Sequence, residues 1–256
     1  MNWEKKRITI ITKAYPENSS RHGNVACTAG ITDDGEWIRL YPIDMRHFIG
    51  ADKISKFDVI EVECTQDSDK LGRKESYKVR PDSIRIIDKS LTKPTIDWKR
   101  RNDIVLPLLD DSVEILQQNY EEKKTSLGLI KPLEITEFIK TDSLQIYEHD
   151  SWSFTVNLDG MKIPQVEKIP HIFKYRFRCH GCNSGEHSMQ CEDWELFESY
   201  RSWGKTYKDP GILWDKLKEK YLDWMLNERD LYFIMGMFSQ YPTWFIIGLY
   251  YPPKNK

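Results

Sequence analysis

An alternation of apolar and polar positions with a period of two runs through the first third of the chain. Phe57 to Cys64 (FDVIEVEC), Ser76 to Arg80 and Ile84 to Ile87 follow it, as a strand with one buried face does. Ile8 to Thr12, Asn24 to Ile31 and Glu36 to Tyr41 are short runs of β-branched and apolar residues, which pack well on a pleated surface. Asp34-Gly35 separates the last two, and Gly enters the positive-φ region of a tight hairpin without a Cβ clash. Residues 1–92 are therefore expected to form an antiparallel sheet resembling a small barrel.

Beyond Lys93 the period lengthens. Asp97 to Arg101 opens a stretch with Ile104, Val105 and Leu108 at near-helical spacing. Asp110-Asp111-Ser112 then caps a second stretch, with Val113, Leu116 and Tyr120 on one face. Residues 93–165 read as a helical insertion followed by strands at Leu127 to Ile130, Ile135 to Ile139 and Ser151 to Val156, with a turn at Asp159-Gly160. In residues 166–256, Ile172 to Arg178 (IFKYRFR) places Phe173, Tyr175 and Phe177 on one face and Lys174, Arg176 and Arg178 on the other. Asp193 caps a helix with Trp194, Phe197 and Tyr200 on its face, and Asp209-Pro210 starts another. Leu231 to Phe238 and Thr243 to Tyr251 close the chain as a hairpin around Gln240-Tyr241-Pro242. The expected class is α+β: a β-barrel-like N-terminal region, a helical insertion and a C-terminal α/β region.

Composition narrows the function classes. A net charge of −2 supplies no global basic field, so nucleic acid would have to meet a local patch. No apolar run approaches the ~20 residues of a membrane span, and Asn2 to Arg7 is polar where a secretory leader would begin. Three of the five cysteines are clustered, while Cys27 and Cys64 lie in apolar runs; this argues against a disulfide framework and for a reducing cytoplasm. Nine tryptophans exceed what a small core needs, so some rings are candidates for a binding surface.

The candidate chemistry concentrates in RFRCHGCNSGEHSMQCEDWE, Arg176 to Glu195. Cys179, Cys182, His187 and Cys191 have C-x2-C-x4-H-x3-C spacing, one residue shorter than a zinc knuckle. Zn²⁺ takes thiolate and imidazole ligands tetrahedrally, and a thiolate-rich site also accepts iron. Asn183, Ser184 and Gly185 are the candidate tip of the metal loop. With Cys191 the set is a closed structural site. Without it, water, His180 or His171 fills the fourth position, and Glu195 or Asp193 becomes a candidate base toward a metal-bound water. Both carboxylates also read as a helix cap and a first-turn acid.

Lys174, Arg176 and Arg178 beside the metal module resemble a phosphate-contacting strand. Arg39 and Arg46 are candidates for the same role, since a guanidinium pointing inward from the strand at Arg39 needs an anionic partner. There is no Walker loop, G-x-G-x-x-G or G-x-S-x-G, so nucleotide-driven and serine-hydrolase mechanisms have no support.

VACTAGITDDGEWIRLYPI together with the cysteine-rich stretch resembles a widespread family of uncharacterised prokaryotic proteins. The first part is similar to dual OB-containing domains, and Cys179, Cys182, His187 and Asp193-Trp194-Glu195 match a CxxC…H…DWE element; the position of Cys191 is often apolar in that family. The resemblance implies an OB-like N-terminal region and, because OB barrels bind single strands, nucleic-acid binding. The expected function is a zinc-stabilised nucleic-acid-binding protein of the prokaryotic cytoplasm, a subunit of a larger complex. A metal-dependent hydrolase or nuclease and a protein-interaction subunit are the alternatives.

Overall fold

A computed structural model of the chain describes residues 2–19, 23–66, 72–93, 98–143, 154–156, 162–164, 169–182, 185–237 and 242–254. The expected turns at Asp159-Gly160 and Gln240-Tyr241, and the loop tip at Asn183-Ser184, lie outside the described residues.

The expected N-terminal runs form strands β1 (Glu4–Lys13), β3 (Gly23–Thr32), β4 (Trp37–Asp44), β5 (Val59–Gln66), β6 (Ser76–Val79) and β7 (Arg85–Asp88), and a short β2 (Glu17–Ser19) forms outside them by pairing with β3. Five of them close into a barrel in the order β1-β3-β4-β6-β5, and β5 returns to β1 from Glu4↔Cys64 to Thr9↔Val59. β4 and β6 run parallel while the other barrel pairs are antiparallel, an arrangement consistent with an OB-like barrel. Gly35, at φ 79°, makes the turn between β3 and β4, as its place after Asp34 required. Ile8, Ile10, Ile38, Leu40, Ile60 and Val62 fill the barrel.

Helices form at both stretches where the period lengthens: α1 (Trp98–Val105) and α2 (Val113–Lys123). Strands β8 (Leu109–Asp110), β9 (Leu127–Ile130), β10 (Pro132–Asp142), β11 (Phe154–Val156), β12 (Lys162–Pro164), β13 (His171–Cys179) and β14 (His187–Cys191) follow. The chain ends in α3 (Trp194–Trp203), α4 (Pro210–Lys218), α5 (Met225–Glu228), β15 (Tyr232–Met237) and β16 (Trp244–Tyr250). A second sheet has the order β10-β13-β14-β16-β15-β9-β8, and among the described residues β11 pairs only with β12. β9 and β10, from the expected middle unit, are thus strands of this C-terminal sheet.

The second sheet is the middle layer of the molecule. On one face, Phe173, Tyr175, Phe177, Phe233 and Met235 pack with Leu116, Phe197, Leu217 and Tyr221 of the helical layer. On the other, Leu127, Leu129, Ile234 and Ile247 pack with Ile11, Ala29 and Ile31 from the outside of the barrel. Strands covered on both faces read as unbroken apolar runs, as LYFIMGM and WFIIGLY do. Each such Ile or Phe contributes roughly 1.5–3 kcal/mol by leaving water. Where β16 crosses β1, Thr12 Oγ1 donates to Ile247 O over 2.9 Å. A Cβ on the adjacent Gly248 would collide with the Thr12 side chain, so the approach of the two layers there depends on glycine.

Candidate metal centre

Alternation along β13 sends Phe173, Tyr175 and Phe177 fully into the core and ends the strand on buried Cys179. Gly181 turns the chain at φ 68°, and Cys182 N donates back to Cys179 O over 3.4 Å. His187 then opens β14 opposite Phe177, whose ring lies 5.4 Å from the imidazole. The fourth member comes from far upstream. Ser112 caps α2 by accepting from Ile115 N over 3.3 Å, which sets Glu114 in the first turn. One ligand atom from each of Glu114, Cys179, Cys182 and His187 lies within 4.8 Å of the others.

The separations across the group lie near those of a small tetrahedral site, with the Cys182–His187 contact the short one. Cys182 Sγ is 3.0 Å from His187 Nε2, Glu114 Oε2 is 3.9 Å from Cys179 Sγ, and Glu114 Oε1 is 3.6 Å from His187 Nε2. A tetrahedron with bonds of about 2.0–2.3 Å has edges of about 3.3–3.8 Å. In this structure Cys179 and Cys182 are joined by a disulfide; reduction frees both sulfurs as thiolate ligands.

Cys191 is not brought to this group. The stretch expected to loop around a metal is strand β14, and four residues of extended chain carry Cys191 about 13 Å from His187. It is fully buried in the aromatic core, paired with Phe173 on one side and Ile246 on the other. Burial pushes its thiol well above the usual range, with Asp193 adding to the effect. Nor do the two other candidate imidazoles join the group: His180 is exposed, and His171, at the far end of β13, lies 3.0 Å from Asp142.

Residues 109–256, more than half of the chain, match the model of Domain of unknown function DUF8757. The chain belongs to this family. Residues 4–107 match an adjacent model, Domain of unknown function DUF8758. No curated protein matches the chain.

All four clustered donors lie in the DUF8757 segment, as do Asp193 and Glu195, which have a different task. Asp193 Oδ1 caps α3 through Leu196 N at 3.0 Å, while Oδ2 accepts from Leu249 N at 3.0 Å and from Lys56 Nζ at 2.9 Å. Glu195 Oε2 also accepts from Lys56 at 3.1 Å and from Tyr251 OH at 3.3 Å. Lys56 belongs to the DUF8758 segment, so these carboxylates tie the two segments together and are not placed against the metal group. Burial opposes the charge on both partners of the Lys56–Glu195 contact, yet their attraction prevails: Lys56 is raised and Glu195 lowered.

The expected nucleic-acid contacts are scattered. Lys174, Arg176 and Arg178 do occupy the outer face of β13, but Arg176 meets Glu137 at 2.6 Å and Glu186 at 3.4 Å, and Arg178 meets Glu134 at 3.5 Å. Arg39 is 3% exposed, which removes it from any phosphate. Its guanidinium donates to Ser126 O at 2.9 Å, Ser126 Oγ at 3.0 Å and Cys27 Sγ at 2.9 Å, while Glu75 accepts from the same serine. The inward guanidinium is therefore met by internal neutral acceptors, with Glu75 linked to it through Ser126. Arg46 lines a cleft of about 560 Å³ on the barrel together with His47, Arg85 and Lys89, and pairs bidentately with Asp44 at 3.0 and 2.7 Å.

Glu114 escaped the sequence reading. It looks like any first-turn carboxylate of a capped helix, and 65 positions separate it from Cys179.

Proposed function

We propose that this protein is a zinc-stabilised nucleic-acid-binding protein in which the metal has an architectural role. The observation that carries the reading is the convergence of two cysteines, a histidine and a carboxylate from α2 and the β13–β14 hairpin. That donor set suits Zn²⁺, and an ion held by both elements would lock the hairpin onto the helical layer. None of three prominent clefts is lined by these residues, and the carboxylates expected as bases are engaged with Lys56. Among the described residues, a hydrolytic role at the metal thus lacks a base in the expected position.

The nucleic-acid part of the reading needs a surface other than the one OB barrels commonly offer. The outer side of β3, with Ala29 and Ile31, is covered by the second sheet. The outer face of β13 keeps Lys174 outside any ion pair between the described residues, and the pairs of Arg176 and Arg178 are exposed ones, worth ~0–1 kcal/mol each and open to exchange for phosphate.

Elemental analysis of reduced protein, with X-ray absorption at the zinc edge, tests the first half. One zinc with two sulfur, one nitrogen and one oxygen neighbour is expected, and Glu114→Ala should lower the affinity for zinc at least tenfold. Protein that stays free of metal under reducing conditions with zinc supplied would overturn this half. Binding of a labelled single-stranded oligonucleotide at low salt tests the second, and its absence would overturn it.

A further inference from the structure

The helix that begins at Pro210 changes its winding midway. Residues 210–218 are α-helical, Glu219–Trp224 form a π segment, and α-helix resumes at Met225. Neither proline nor glycine lies between Gly211 and Glu228 to cause it, and π turns inside helices are rare and concentrate at functional positions. The wider turn places Lys220 and Trp224 along one wall of a cleft of about 420 Å³, whose other lining residues are Trp203, Tyr207, Lys216 and Glu219.

Three aromatic rings thus surround the mouth of a cleft that also carries two ammonium groups. Lys216 is already paired with Glu219 at 2.5 Å. Lys220 is not: among the described residues it makes no hydrogen bond or ion pair, and its Nζ lies 5.3 Å from the ring of Trp203 and 4.9 Å from that of Tyr221. Burial lowers its pKa, partly offset by the charges of Glu195 and Asp193. A half-buried ammonium held against ring faces, with no carboxylate of the described residues in ion-pair range, is open to an anionic partner. Its surroundings limit what that partner can be. The flat faces of Trp203, Tyr207 and Trp224 favour a planar group, and Lys220, with the Arg229 guanidinium 4.5 Å from the Trp224 ring, favours one that carries negative charge.

We infer that this cleft is a base-stacking subsite for single-stranded nucleic acid: one base lies on the tryptophans and its phosphodiester pairs with Lys220. A strand carries a phosphodiester beside each base, which suits an aromatic platform with Lys220 and Arg229 against its rings. This inference rests on the nucleic-acid reading above and names the place where a strand is held.

The experiment uses the zinc-loaded full chain and a labelled oligothymidylate, with binding followed by anisotropy across a salt series. Trp224→Leu should weaken binding roughly tenfold or more, the usual contribution of one stacked base. Lys220→Met should weaken it and reduce the slope of log K against log salt by about 0.7, one phosphate contact on a single strand. Trp224→Phe, which keeps a ring, should retain most of the affinity, and Lys216→Met should change it little. An abasic oligomer of the same length, tested on the unaltered protein, should bind at least tenfold more weakly than oligothymidylate. If the abasic oligomer binds equally well, or if Trp224→Leu and Lys220→Met bind like the wild type with unchanged unfolding midpoints, the subsite is wrong while the nucleic-acid reading stands. If the wild type binds no oligonucleotide at low salt, that reading falls and the subsite falls with it.

Discussion

Asp110 and Glu114 sit four residues apart at the entry to α2 and meet opposite surroundings. Glu114 faces two sulfurs and an imidazole and becomes a candidate metal donor. Asp110 is turned under β9, where Oδ2 accepts from Leu129 N and Oδ1 from Asn119 Nδ2, each at 3.4 Å. Burial, reinforced by Asp111, pushes its carboxyl up to about 6, and the long Leu129 contact and the charge of Lys123 only partly offset the effect. The folded protein therefore holds a proton that the unfolded chain, with a carboxyl near ~3.9, has already released. Its contribution to stability is complete below about pH 4 and is lost as pH rises through about 6. Asp110→Asn, neutral throughout, is expected to be about 1 kcal/mol more stable than the wild type at pH 7 after allowance for partial exposure, and nearly equal to it at pH 4. Urea midpoints across this range check the prediction. A variant less stable than the wild type at pH 7 would mean that the Leu129 contact needs the charged form.

The β13–β14 hairpin separates what the amino-acid order makes legible from what it hides. β13 was legible because period-two alternation is a local signal that survives into the fold: Phe173, Tyr175 and Phe177 are buried as expected, and Arg178 is exposed. The barrel strands and the starts of α2, α3 and α4 were legible for the same reason, through alternation and through Ser112, Asp193 and Asp209 as caps. β14 was not, because HSMQC has little strand character of its own and becomes a strand through β13 and the parallel pairing of Cys191 with Ile246. That distant partner moved Cys191 from the expected metal loop into the core. The fourth candidate donor is instead Glu114, equally distant in sequence. The hairpin has two mutually exclusive covalent states, since sulfurs joined as Cys179–Cys182 cannot also serve as two thiolate ligands. Reduced protein is therefore expected to take up one zinc per chain and to release it when a mild thiol oxidant forms the disulfide, with metal release measured by a chromogenic chelator. Retention of zinc after complete formation of that bond would show that ion binding does not use the pair.

The two family segments, 4–107 and 109–256, meet across a boundary that the packing does not respect. One apolar cluster joins Ile11, Ala29 and Ile31 of the first to Leu127, Ile234 and Ile247 of the second, and Trp194 of the second lies in the core of the barrel. A shared core of this kind predicts one cooperative unfolding transition. Lys56 is its polar counterpart. Its ammonium enters from the first segment and meets Asp193, whose side chain is 0% exposed, and Glu195, both from the second. Asp193 also holds the start of α3 and the backbone of Leu249, so the charge of Lys56 supports a helix and a strand at once. Lys56→Met keeps most of the stem but leaves a buried carboxylate without its cation, a change that costs about 3–5 kcal/mol in comparable settings. With Lys56 raised and Glu195 lowered, the pair stabilises the protein between the unfolded values of ~4.3 and ~10.4. The Glu195 share is lost as pH falls below that window, and the Lys56 share as pH rises above it. Urea unfolding at pH 7 should therefore show a single, earlier transition for Lys56→Met. The double variant Lys56→Met/Asp193→Asn should be less destabilised than the sum of the two single changes, because the orphaned charge is gone. A loss below about 1 kcal/mol in Lys56→Met, or strict additivity in the double variant, would mean that the apolar contacts hold the segments together without the ion pair.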